Sequence, residues 1–183
     1  MTAYLALLRG INVGGKNKVP MAELRGVLEG LGFENVSTYI ASGNVFLDAD
    51  VGPEEAASMI EAALPKAFEL DAELIKVAVL SRDQLEAVVK QRPKGFGDEP
   101  AKYHSDAIFL MGITAAEAMA AFRPKEGVDA VWPGDGVIYS QRLSARRTAS
   151  RLNRITASPM YKAMTIRSWQ TTLALLDRMR KTS

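Results

Sequence analysis

The chain has no cysteine, a single histidine, His104, and no apolar run near the ~20 residues a membrane-spanning helix needs. Without cysteine there is no disulfide, thiolate metal site or thiol nucleophile, and nothing asks for an oxidising compartment. One histidine without cysteine argues against a zinc site, and no metal is expected. The opening Met1-Thr2-Ala3-Tyr4 has no basic segment, and Arg9 soon interrupts the apolar stretch that follows. A secretory signal is therefore not expected, and the cytoplasm is the default location. Acidic residues are scarce at one end. Met1 to Ser140 carries 13 Lys/Arg against 20 Asp/Glu, whereas Gln141 to Ser183 carries ten against Asp177 alone. A net charge of +2 over 183 residues conceals that segregation. It is read either as a basic surface that pairs with an acidic one, in the same chain or a twin subunit, or as a patch for phosphate-rich ligands.

A content of 48% hydrophobic and 24% charged residues is that of a globular chain, long enough for one ordinary domain or two small ones. Tyr4 to Leu8 reads as an apolar strand that runs into Arg9-Gly10-Ile11-Asn12-Val13-Gly14-Gly15-Lys16-Asn17-Lys18. Met21 to Leu31 reads as a helix. Asn35 to Ile40 and Val45 to Leu47 read as a hairpin across Ala41-Ser42-Gly43-Asn44. Pro53 opens a second helix, with Pro65 expected to disturb its last turns. A strand follows over Leu74 to Leu80, and Ser81 caps a further helix. The order β-α-β-β-α-β is the ferredoxin-like, split βαβ pattern.

The plan recurs in the second half. Leu8-Arg9-Gly10-Ile11 has a counterpart in Leu110-Met111-Gly112-Ile113, again ending an apolar strand, Ala107 to Met111. A helix over Ala115 to Phe122, strands at Val128 to Trp132 and Val137 to Tyr139, and a basic helix around Thr148 to Arg154 follow. Ala163 to Ile166 then leads into the helix Trp169 to Arg180. The expected fold class is α+β: duplicated ferredoxin-like halves with antiparallel sheets and a C-terminal helix. The halves span 1–90 and 102–183, with the Gly/Pro-rich segment 91–101 as linker or surface loop.

Arg9 to Gly15, Ser42 to Val45, and the spaced set Thr165, Arg167, Trp169 and Thr171 together resemble DUF1697, a bacterial family of unknown function. Ser168 stands where that family usually has asparagine. The resemblance implies two similar ferredoxin-like subdomains and no established activity.

Candidate ligand-binding residues are Arg9, Asn12, Gly14, Gly15, Lys16 and Asn17 of the first loop, with Ser42, Gly43 and Asn44 of the hairpin turn. The split βαβ order makes the first and third strands neighbours, which brings loop and turn to one sheet end. Cations and exposed amides there suit a phosphate or carboxylate. The competing reading is structural: asparagines satisfy turn backbone and glycines ease a crossing. No standard nucleotide motif is present, and no cofactor is expected. Arg167 and Trp169 are further candidates, within a basic segment that includes Arg142, Arg146, Arg147, Arg151, Arg154 and Lys162. Arg147, Arg151 and Arg154 fall at helical spacing, whereas Trp169 reads more readily as core. An RNA-recognition sheet is not indicated, because Tyr4 to Leu8 and Val45 to Leu47 hold one aromatic each.

His104 and Asp106 share a strand face, either as a catalytic pair or as a surface pair. Ser42 with Lys16 would form a nucleophile only if folding joined them, and Asp48 and Asp50 read either as carboxylates for Mg²⁺ or, more commonly after a strand, as surface acids. Three functions follow. The first is binding of a phosphate-bearing small molecule or single-stranded nucleic acid at loop 9–18. The second is an enzyme acting on an anionic small molecule. The third is a homodimeric interaction or scaffold protein without membrane attachment.

Overall fold

The computed structural model describes residues 1–182 as two compact units: Met1–Leu85 with the segment from Leu175 onward, and Glu86–Ala174. Each is built on a four-stranded antiparallel sheet. The first unit contains β1 (Thr2–Leu8), α1 (Met21–Gly30), β2 (Glu34–Tyr39), β3 (Asn44–Ala49), α2 (Pro53–Ala67) and β4 (Val77–Ser81), with strand order β2-β3-β1-β4. After α3 (Arg82–Lys90) the second unit repeats the plan. It has β5 (Tyr103–Leu110), α4 (Ala115–Met119), β6 (Asp129–Pro133), β7 (Val137–Leu143) and β8 (Met164–Ser168) in the order β6-β7-β5-β8. The helix α5 (Trp169–Thr182) follows β8. The protein is a duplicated ferredoxin-like fold.

In the first unit Tyr4, Ala6 and Leu8 of β1 join Val45, Leu47 and Ala49 of β3 in a core closed by Leu24 and Leu28 of α1 and Ile60 and Leu64 of α2. Leu5 and Leu7, on the opposite side of β1, are also fully buried. A sheet with both faces of its central strand covered offers no open surface for stacking bases. Ser81 caps α3 reciprocally: its hydroxyl accepts from the Gln84 amide at 3.2 Å, and its own amide donates to Gln84 Oε1 at 2.8 Å. Ser168 caps α5 in one direction, accepting from the Thr171 amide at 3.1 Å.

Several elements differ from the sequence reading. α2 continues through Pro65 to Ala67, because a proline so near the end forfeits only the bond to the Glu61 carbonyl. β4 begins at Val77 rather than Leu74, and the Asp71 and Ala72 amides before it donate to the Asn17 side chain. β5 begins at Tyr103, which places His104 inside the strand. α4 ends at Met119, and shorter-range bonds carry the turn on to Phe122. The basic helix around 148–154 does not form. The connection from β7 to β8 is instead three short 3-10 helices, Ser144–Ala149, Leu152–Ala157 and Pro159–Ala163. The break falls at Ser150 and Arg151, where Asp129 of β6 accepts from the Ser150 hydroxyl at 2.6 Å and the Arg151 amide at 2.8 Å. Arg147, Arg151 and Arg154 therefore do not form one helical stripe.

The segment 91–101 is not only surface. Phe96 is 1% exposed and meets the rings of Trp132, Tyr139 and Trp169 edge-on at centroid distances of 5.0–5.9 Å. Tyr139 donates its hydroxyl to the Val88 carbonyl at 2.5 Å, and burial raises its phenol to about 12. A raised folded pKa gives stability that is complete below the ordinary tyrosine range and is lost as pH climbs toward the folded value. Tyr139→Phe is expected to cost roughly 1–3 kcal/mol by orphaning that carbonyl. It should also flatten the alkaline loss of stability, as read from melting curves taken across pH. An unchanged alkaline limb would contradict the assignment.

Candidate functional site

The first loop is a small hairpin standing on the end of β1. Gly14 and Gly15 both have left-handed backbone, φ 60° and 74°, and the Lys16 amide donates to the Val13 carbonyl at 3.0 Å. This is a type I′ turn, which glycine serves best at both central positions. One rung further out, the Asn12 amide donates to the Asn17 carbonyl at 3.0 Å. The two glycines are thus accounted for by the turn they make.

Asn12 and Asn17 hold the hairpin to the unit. The Asn12 side-chain amide donates to the carbonyls of Val19 at 3.0 Å and Ala41 at 2.8 Å, and its oxygen accepts from the Val19 amide at 2.8 Å. Asn17 donates from its side chain to the Gly10 carbonyl at 3.1 Å, and its oxygen accepts from the amides of Asp71 at 2.8 Å and Ala72 at 3.0 Å. The Asp71 carboxylate returns the contact, accepting from the Asn17 amide at 2.6 Å. Both asparagines sit at positive φ, 55° and 49°, a conformation their type tolerates. Their side-chain groups are engaged by the fold itself.

The hairpin turn between β2 and β3 does lie beside this loop. Register pairs Leu7 with Asn44, and the Leu8 amide donates to the Gly43 carbonyl at 2.8 Å. Gly43 has φ 87°, and a β-carbon there would sit 2.8 Å from the Leu8 oxygen and 3.1 Å from Ile11 Cγ1. Asn44 is fully buried and donates to the Tyr39 carbonyl and the Ser42 hydroxyl, each at 3.0 Å. Ser42 is exposed at the rim. Arg178 of α5 lies over the Tyr39 ring at 4.7 Å, a cation at this turn that no sequence pattern indicated. Around the frame, Arg9 is half-buried while Lys16 and Lys18 are exposed, and neither lysine side chain makes a hydrogen bond or ion pair among the described residues. A Ser42–Lys16 nucleophile is therefore not assembled.

Arg167 and Trp169 belong to the second unit. Arg167 is 8% exposed, donates to Thr165 Oγ1 at 2.8 Å and the Ile166 carbonyl at 2.9 Å, and is lowered to about 10 by burial, still protonated at neutral pH. Trp169 stacks in the Phe96 cluster over Gly97, with its Nε1 buried and unpartnered. His104 Nε2 lies 3.0–3.1 Å from the Asp106 carboxylate, so that pair does form. Desolvation raises Asp106, opposed by His104 and then Arg142. Asp48 accepts from the Asn35 side chain at 2.7 Å. No group of three or more metal-ligating residues occurs among the described residues, and no helix is long and apolar enough to cross a membrane.

Asn12→Ala removes three hydrogen bonds and is expected to lower stability by roughly 2–4 kcal/mol in denaturant unfolding. Gly43→Ala should cost a comparable amount, about 1–3 kcal/mol from forced contact and more from left-handed strain. Lys16→Ala, on the exposed tip, should fall within about 0.5 kcal/mol of the parent. Equal losses at all three positions would contradict this division between frame and rim.

Comparison with known proteins bears on the family and the fold. A conserved bacterial protein from Streptococcus pneumoniae has a similar solved structure, with a TM-score of 0.78 and 27% sequence identity over 96% of this chain and 97% of that one. No curated protein matches the sequence. The family described as protein of unknown function, DUF1697, matches residues 1–139, which takes in the loop and the hairpin turn and stops short of Arg167 and Trp169. The chain belongs to that family, DUF1697.

Proposed function

We propose that the protein binds a phosphate-bearing ligand, a nucleotide or a single-stranded nucleic acid, at the hairpin 9–18. The observation that carries this reading is the contrast between frame and rim. The asparagine side chains are taken up in bracing the hairpin, while the side chains of Lys16 and Lys18 are left exposed and unpaired upon it. Cations on a braced frame lose less freedom when an anion arrives, which favours binding. Arg9 lies at the base of the hairpin and Ser42 across the β1–β3 pairing. The carboxylate that the loop touches, Asp71, is engaged by the Asn17 amide, and His104 belongs to the second unit. That distribution supports binding over acid–base turnover at this loop.

The test is thermal melting against nucleotides, phosphosugars and short oligonucleotides at low salt. A ligand that selects the native state adds about 2.7 kcal/mol at a hundredfold excess over its Kd. In a Lys16→Gln, Lys18→Gln variant that shift should vanish while the ligand-free midpoint stays near the parent's. A shift that survives in the variant, or a flat panel, would overturn the proposal.

A further inference from the structure

The two units are copies of one plan, and they differ most in the connection from the third strand to the fourth. In the first unit this is α2, a regular helix carrying Glu54, Glu55 and Glu61. In the second it is the run of 3-10 helices from Ser144 to Ala163, which holds Arg146, Arg147, Arg151, Arg154 and Lys162 and no acidic residue. The sequence has no Asp or Glu between Asp135 and Asp177. A packed crossover needs apolar residues, and this one supplies them: Ile155 is buried in the second unit's core, with Leu152, Met160 and Tyr161 packed against it. Nothing in that packing requires five cations.

These cations are also unclaimed. Arg146, Arg147, Arg154 and Lys162 are exposed, Arg151 is half-buried, and none of the five side chains enters an ion pair or hydrogen bond among the described residues. Asp129, the acid in contact with the segment, already accepts from Lys125 N, Ser150 Oγ and Arg151 N. Asp129 fixes the chain at its break without neutralising an arginine side chain. The result is a run of positive charge, unpaired among the described residues, held by Asp129 at its break and by Ile155 in the core.

We infer that the crossover Ser144–Ala163 is a docking surface for the sugar–phosphate backbone of a single-stranded nucleic acid. Five cations spread along three successive short helices and the break at Arg151 suit a chain of separated phosphates better than one compact anion. Four of the five are arginine, whose planar fork meets phosphate oxygens in pairs. Recognition is through the backbone, because both faces of the neighbouring sheet are occupied: Ile108, Ile138 and Met164 lie in one core, and Tyr139 lies among the Phe96 rings. The surface is independent of the hairpin 9–18, which lies in the other unit.

The experiment is fluorescence anisotropy of a labelled single-stranded oligonucleotide of mixed sequence, titrated with the full chain at several salt concentrations. Five neutralised phosphates predict a log–log salt slope of about −3.5, and two predict about −1.4. The Arg146→Gln, Arg147→Gln, Arg154→Gln variant should therefore bind at least about tenfold more weakly and show the shallower slope. The Lys16→Gln, Lys18→Gln variant should keep the parent's slope, so failure of this surface and failure of the hairpin reading are distinguishable. Should the triple glutamine variant not fold, the corresponding Arg→Lys variant retains charge and is expected to keep the slope while losing affinity. Absence of binding at low salt, or parental binding by the folded glutamine variant, overturns the inference. So does competition by polyglutamate at matched charge as effective as by the oligonucleotide, which would assign the surface to an acidic protein.

Discussion

Leu8 donates its amide to the Gly43 carbonyl at 2.8 Å, and much of the loop end of the first unit hangs on that rung. It requires residue 43 to have no side chain, because a β-carbon would meet the Leu8 oxygen and Ile11. With Gly43 pressed against β1, the Ala41 carbonyl comes within reach of the Asn12 side chain, and Asn12 in turn fixes Val19. Hairpin, turn and the approach to α1 are thereby held as one piece. The glycines and asparagines that look like a ligand cradle are first of all the means by which two chain reversals share one sheet end.

That distinction bears on function. A loop in which side-chain amides contact the ligand must trade internal bonds for external ones. In this loop the asparagine amides are already satisfied, and the free valence lies in ammonium groups at the rim. Under the proposed binding, charge on a braced frame captures an anion without a large ordering cost. The second unit shows the same separation on a larger scale. Its 3-10 crossover is held by Ile155 and Asp129, and its arginine side chains enter no ion pair or hydrogen bond among the described residues. One copy of the crossover is a regular helix, and the other is a run of three 3-10 helices.

Much of the fold was legible in the sequence because its signals are local. Leu8-Arg9-Gly10-Ile11 and Leu110-Met111-Gly112-Ile113 mark corresponding strand ends, Ser81 announces a cap, and the β-α-β-β-α-β order fixes β1 beside β3. From that neighbourhood the joint placement of the loop and the Ser42 turn follows. What escaped depends on distant partners. Asn17 is claimed by Asp71 and Ala72, 54 and 55 residues away. Phe96 sits among glycines, prolines and charges, so nothing local marks it as the ring around which Trp132, Tyr139 and Trp169 gather. The arginine spacing at 147, 151 and 154 has the helical period, but Asp129 captures Ser150 and the Arg151 amide and breaks the run. Arg178 reaches Tyr39 across 139 positions, beyond any pattern along the chain.

Amide hydrogen exchange on the ligand-free protein tests the central claim, that the hairpin is braced before any ligand binds. The amides of Asn12, Asn17 and Val19 should be protected well above the exchange rate of an unstructured chain. Asn12→Ala should remove that protection while leaving the β1–β3 amides slow. Exchange at unstructured rates in the parent, with protection appearing only on addition of an anion, would contradict the account and make the loop a segment ordered by its ligand.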